Sequence, residues 1–287
     1  MNFRTDLALE RCENIDKNSL EGIKMEFLEE KGAKITRIDI VNTEGEKTVG
    51  KPIGRYITVE VAPFASQAQF IDDSLNAVTE EIRQLIPDGG SVLVAGLGNM
   101  RITPDALGPK CASMIFATRH IKGELLRSTG LSGLRSVSAV STGVTGETGA
   151  EAGEIIRGVV HTVKPDVVIT VDALAARNTE RLGTTIQMCN TGIVPGSGVG
   201  NSRQEISEKT IGVPVVSIGV PTVVDAATLI MDCTGKKDSV SDKAERMMVT
   251  PREVDLMIER AAKLTSLAIN CALQPNISPE DMLILTS

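Results

Sequence analysis

The sequence predicts an α/β protein: a mostly parallel sheet with helices on both faces, plus an N-terminal antiparallel β-hairpin region. Three observations predict it. Near-continuous apolar runs at 91–98 (SVLVAGLG), 166–171 (DVVITV) and 213–219 (VPVVSIG) read as strands covered on both faces. Segments with helical spacing alternate with them, and that alternation builds a parallel sheet flanked by helices. Before residue 65 the texture differs, because 34–41 (KITRIDIV) and 55–61 (RYITVEV) alternate apolar and polar residues. Such alternation marks half-exposed strands.

Taken in order, LALERC from Leu7 is a short helical stretch that Asp6 can cap. The two alternating strands enclose NTEGEKTVGKPIG, a turn-rich connector, so they form a hairpin. Strand 34–41 is expected to be its open edge, with unpaired backbone groups that a partner could cover. Residues 66–85 are helical and lead into strand 91–98. A short apolar run at 136–140 and a helix at 151–163 follow, with His161 near that helix's C-terminus, where the dipole favours a cation. Strand 166–171 comes next, then strand 213–219, a helix near 223–231 and a polar loop at 235–247. The last long helix spans 251–273, with Thr250 as cap, Pro251 at its first position and Glu253 as the capping-box acid. This divides the chain into a β-rich region, 7–65, and an α/β core, 66–287, packed as one compact domain.

Composition narrows the function. Hydrophobic residues make up 41% and charged residues 23%, ordinary for a globular chain. Thirty Lys and Arg against 37 Asp and Glu give a formal charge of −7, so no basic face for nucleic acid is expected. With five Phe, one Tyr and no Trp, base-stacking platforms are not expected either. Cys12, Cys111, Cys189, Cys233 and Cys271 are scattered, without zinc-ligand spacing, and read as reduced thiols of a cytoplasmic protein. The start is too charged for a signal peptide, and no apolar run is long enough for a membrane span. Neither a cofactor nor a metal is expected.

In open α/β sheets, ligands bind beyond the carboxyl ends of the strands. Three such ends run into polar, glycine-rich segments: 96–109, 172–181 and 219–226. Gly96 and Gly98 match the opening of a dinucleotide fingerprint, but Arg101 stands where the third glycine belongs. Asp105, ahead of an apolar helical stretch, reads most plainly as an N-cap. Asp172 stands at the exit of an apolar strand, where an acid is costly to bury unless paired or functional. Its plain structural role is a salt bridge to Arg177 or Arg181. Adjacent parallel strands bring Asp105 and Asp172 together, and two carboxylates in one cleft can divide the work of general base and general acid. Asp225, Glu147 and Glu151 are possible supporting acids, the glutamates reading first as helix-start residues. GSGVG at 196–200 lacks the nucleophile elbow a catalytic Ser197 would need.

The strings VAGLGNMRITPDALGPK, VITVDALAAR, TGIVPGSGVGN and GVPTVVDA, with RTDLA near the start and MVTPREVD late, closely resemble the germination protease (spore protease) family. The resemblance runs from near residue 4 to near residue 273. It implies a fold related to the hydrogenase maturation proteases. It also implies an aspartic-type endopeptidase that degrades small acid-soluble spore proteins in the spore core or forespore, assembled as a homotetramer. By motif, the two catalytic aspartates fall on Asp105 of TPDALGP and Asp172 of VDALAAR. The family's zymogens lose a short leader, here residues 1–6, by a cut between Asp6 and Leu7 in TDLA. Two departures stand out: 235–247 is shorter than the insertion often found before MVTP, and four residues precede TDLA. The competing readings are a carboxylate–metal peptidase and a non-catalytic binding protein.

Overall fold

A computed structural model describes residues 5–13, 21–30, 33–66, 69–121, 133–201, 203–234, 241, 243–244 and 247–286. The described strands form a single nine-stranded sheet: β1 (Ile23–Glu30), β2 (Ala33–Ile40), β3 (Gly54–Glu60), β4 (Val92–Leu97), β5 (Val137–Gly143), β6 (Val167–Ala176), β7 (Thr185–Cys189), β8 (Val215–Asp225) and β9 (Met248–Val249). Their order is β1-β2-β3-β7-β8-β6-β4-β5, with β9 paired to β8. β8, β6, β4 and β5 run parallel and form the core. The N-terminal hairpin β2–β3 is antiparallel, as expected, and continues the same sheet through β7.

Strand alternation sorts side chains to two faces. Val92 and Val94 of β4, with Val167, Ile169 and Val171 of β6, enter the large core. There they meet α3 (Asp73–Leu85), α4 (Leu107–Ser113) and α9 (Val254–Leu273). Leu93, Ala95 and Leu97 point the other way, onto Ile156 and Val160 of α6 (Ala152–Val163) and Ile211 of α7 (Glu208–Ile211). Helices therefore cover both faces. At the N-terminal end, Ile38, Ile40 and Tyr56 pack on α1 (Ala8–Cys12) and on Val49 of α2 (Thr43–Val49).

Several local expectations are corrected. The connector between β2 and β3 contains α2, capped by Asn42, whose Oδ1 accepts from the N–H groups of Glu44 and Gly45. β1 pairs with β2, so strand 34–41 is interior and β1 is the edge. The stretch 66–85 starts its helix at Asp73, because the Asp72 carboxylate accepts from Leu75 N. The cap expected at Thr250 is absent: its hydroxyl donates to Thr222 O, Glu253 is the N-cap residue, and α9 begins at Val254. β6 and β8 continue past 171 and 219 to Ala176 and Asp225. The helix expected near 223–231 begins only at Ala226, as α8 (Ala226–Thr234). Most of the polar stretch 235–247, and residues 1–4 of the expected leader, lie outside the described residues.

Candidate active site

The site is built where α4 touches the sheet. A Cβ on Gly108 would lie 2.2 Å from Leu97 O and 2.3 Å from Val171 O, and one on Gly96 would lie 2.1 Å from Gly108 O. Only glycines permit this approach of helix to β4 and β6. It sets the turn Thr103–Asp105 beside Asp172, the residue after Val171.

Asp105 caps nothing. The N-cap residue of α4 is Ala106, and the Asp105 carboxylate turns back to accept from Asn99 N at 2.8 Å through Oδ2. Gly98, at φ 108°, makes that turn, and Thr222 Oγ1 fixes it from β8 by donating to Pro104 O at 2.8 Å. Asp172 is 6% exposed, lies inside β6 opposite Gly219 and accepts only from Ala173 N, at 2.9 Å, among the described residues. The expected salt bridge is absent: Asp172 has no ion pair among the described residues, and Arg181 instead pairs with Glu10 and Glu13. Each aspartate thus keeps one carboxylate oxygen without a hydrogen bond among the described residues.

Both line one cleft of about 380 Å³, together with Asp6, Glu151, Arg203 and Thr222. Burial pushes the Asp172 carboxyl well above its ordinary value of 3.8; the charges of Asp105 and Asp6 add to that, and Ala173 N–H opposes it. Burial also raises Asp105, opposed by Asn99 N–H and aided by Glu147. Both carboxyls are thus biased toward their protonated forms, Asp172 more strongly than Asp105.

The supporting acids separate. Glu151 lines the cleft, accepts from Thr145 Oγ1 at 3.0 Å, lies 3.6 Å from Arg203 and forms a capping box with Glu154 at the start of α6. Glu147, in α5 (Thr145–Thr148), lies 3.5 Å from Arg101 and acts on the cleft through its charge. Asp225 is not among the cleft-lining residues; it accepts from Thr228 N and Oγ1, both at 3.0 Å, at the start of α8. No three His, Cys, Asp or Glu side chains stand close enough to hold a metal ion among the described residues.

The raised carboxyl of Asp172 has a stability consequence. Below pH 3.8 the group is protonated in both folded and unfolded chains. As pH rises from there, the unfolded chain ionises while the buried carboxyl does not, so the wild type loses stability up to the folded pKa. Asn does not titrate. Asp172→Asn is expected to melt above the wild type at neutral pH, with the gap closing toward pH 3. Thermal melts across that range check it; a gap that widens in acid contradicts the assignment.

A sequence profile described as germination protease matches residues 4–235. The chain belongs to the germination protease family. Among its relatives is the germination protease of Caldanaerobacter subterraneus subsp. tengcongensis, 43% identical across 98% of this chain and 97% of that protein. The germination protease of Clostridium perfringens (strain ATCC 13124) is 40% identical across 98% of both chains. That of Priestia megaterium is 42% identical across 80% of this chain and 65% of its own length. As a germination protease family member, the chain is a peptidase. A solved structure of the [NiFe] hydrogenase maturation protease HycI from Thermococcus kodakarensis overlaps 66% of this chain and 98% of its own, at 17% identity and TM-score 0.38. That overlap is too loose to establish a common fold. Within the described residues, no helix is long and apolar enough to cross a membrane.

Sequence reasoning missed Asp6 as a wall of the cleft. It did so because Asp6 reaches the site through partners at Ala175 and Ser197, far away in the chain.

Proposed function

We propose that this chain is an aspartic-type endopeptidase of spore germination in which Asp105 is the general base and Asp172 the general acid. The observation that carries the reading is the pair of aspartates in one cleft, of which Asp172 is the more deeply buried and more strongly biased toward its protonated form. Asp105 takes a proton from water as its oxygen attacks the peptide carbonyl. Asp172 gives its proton to the departing amide nitrogen, so the peptide bond breaks and the two carboxyl groups exchange protonation states. No cofactor enters this sequence.

The substrates we propose are small acid-soluble spore proteins in the spore core or forespore, and the working form is a homotetramer. Residues 1–6 act as a pro-segment removed by a cut between Asp6 and Leu7. In support, Asp6 N donates to Ala175 O at 3.0 Å, so Asp6 lies against the end of the strand that carries Asp172. Peptide substrates commonly dock by adding backbone hydrogen bonds to a strand in this way.

The test is incubation with an acid-soluble spore protein, with and without chelator, read by product masses. Discrete fragments in both samples are expected, together with an enzyme mass shifted to a chain beginning at Leu7. An intact spore protein refutes the reading. Loss of cleavage on chelation, restored by a divalent ion, transfers the carboxylates to a metal-bound mechanism. Light scattering at micromolar concentration checks the tetramer.

A further inference from the structure

Thr5, Leu7 and Glu10 meet at the end of β6. The Leu7 side chain is fully buried against Leu174 and Ala176, and Leu174 also lines the catalytic cleft. Leu7 N donates to Thr5 Oγ1 at 3.1 Å, and that hydroxyl donates in turn to Glu10 Oε2. A single hydroxyl thus bridges the Leu7 nitrogen and a carboxylate oxygen. Glu10 is only 2% exposed and is held by further contacts. Arg177 N donates to Oε2 at 2.7 Å, Asn178 N donates to Oε1 at 2.9 Å, and Arg181 Nε lies 3.4 Å from Oε1. The carboxylate therefore ties α1 to the two residues that follow β6, the strand of Asp172.

We infer that Glu10 is a positioning residue of the trimmed enzyme: its carboxylate receives the α-ammonium that a cut between Asp6 and Leu7 creates, in the place Thr5 Oγ1 holds before the cut. The inference rests on the maturation proposed above. Hydrolysis adds water across the bond, with hydroxyl going to the Asp6 carbonyl carbon and a proton to the Leu7 nitrogen, which takes up a second proton at neutral pH. The same cut carries away Thr5, and with it the hydroxyl between that nitrogen and Glu10. A charge generated beside buried apolar surface needs a partner. The cations around it cannot serve. Arg11 Nη2 reaches Thr5 O at 3.4 Å, Arg177 and Arg181 adjoin Glu10, and Lys51 shares a cavity of about 320 Å³ with Arg11 and Asp6. Of the acids, Asp6 departs with the leader and Glu13 is paired with Arg181. Glu10 is already in line. An ion pair then replaces a neutral bridge, and it keeps Leu7 seated on Leu174, a wall of the cleft, after the leader has gone.

Two measurements test this. A chain made to begin at Leu7, with carbon-13 in its leucines, is titrated by NMR. Its α-ammonium is expected to hold its proton at least about tenfold more tightly than an ordinary α-amino group, a rise of one pH unit, and Glu10→Gln to remove that rise. A terminal group that titrates at its ordinary value, or a rise that survives Glu10→Gln, overturns the inference. The second measurement leaves Glu10 intact. A chain beginning at Asp6 lacks Thr5 and carries its ammonium one residue too early; Asp172→Asn keeps it untrimmed. Its amide hydrogen exchange at Arg177 and Asn178 is expected to be at least about tenfold faster than in a chain beginning at Leu7 with the same substitution, the weight of a hydrogen bond to a charged group. Equal exchange in the two chains also overturns the inference. If both results are as expected but the full wild-type chain never trims itself, Glu10 remains the seat for this ammonium and the maturation reading falls.

Discussion

Asp105→Asn and Asp172→Asn each fold normally and lose at least about 10²-fold in kcat, the lower end of what a positioned acid or base contributes. Asn keeps the shape of each side chain and its backbone contacts, from Asn99 N at position 105 and from Ala173 N at 172. What it removes is the ability to take or give a proton. The wild-type pH–rate profile is expected to be a bell. Its acid limb follows Asp105, which must be ionised and whose pKa is raised. Its alkaline limb follows Asp172, which must stay protonated and is raised further. The two groups titrate as a pair, so the limbs report apparent values of the pair. Asp225→Asn supplies the contrast. That carboxylate serves the start of α8, so the variant should retain activity within a few-fold of wild type. Near-full activity in either of the first two variants, measured on the same substrate, sinks the acid–base assignment.

The largest structural effect is expected at Gly108. An alanine methyl there meets backbone atoms of two strands at once, Leu97 O and N and Val171 O, all within 2.5 Å. Side chains could swing away from such a clash, but a sheet backbone cannot. Either α4 lifts or β4 and β6 part, and both movements separate Asp105 from Asp172. Overpacking of this kind costs about 3 kcal/mol or more, at the upper end of its usual range. At about 2–4 °C per kcal/mol for a large domain, the melting temperature should fall by roughly 6–12 °C, with activity reduced even below it. Gly158, in α6 with nothing within 4 Å of its would-be Cβ, is the control. Alanine there should leave stability unchanged or raise it by up to about 1 kcal/mol, by helix propensity. A Gly108→Ala protein that melts with the wild type contradicts the close approach of α4 to the sheet.

How much of this was legible in the sequence depends on burial. β4 and the first half of β6 announce themselves because both of their faces are covered, so they are apolar except for Thr170. β1 does not, since it is an edge: IKMEFLEE carries three acids, and Phe27 is 69% exposed. β7 is five residues long, and Gln187 interrupts its pattern. α2 hides behind Gly45 and a run of turn-forming residues, and only the Asn42 cap reveals it. At the site, strand-end geometry selected Asp105 and Asp172, and the family motifs sharpened that choice. The same geometry could not separate Asp225, which also follows an apolar run. The carboxylate-holding role of Ser197 was out of reach, because a serine in a glycine-rich turn becomes informative only when its partner is known.

The hydrogen bonds that seat Asp6 span 169 residues to Ala175 and 191 to Ser197. Contacts of such sequence separation form late, since a long loop must close before they give anything back. During synthesis at about 5–20 residues per second, Asp6 emerges roughly 10–40 s before its partners exist. In that interval neither the strand that carries Asp172 nor the turn around Ser197 is complete. Any cut between Asp6 and Leu7 therefore waits for a finished polypeptide. A ribosome-bound chain stalled before Ser197 should keep residues 1–6 however long it is held, so under the proposed maturation a chain that begins at Leu7 is one that has already folded.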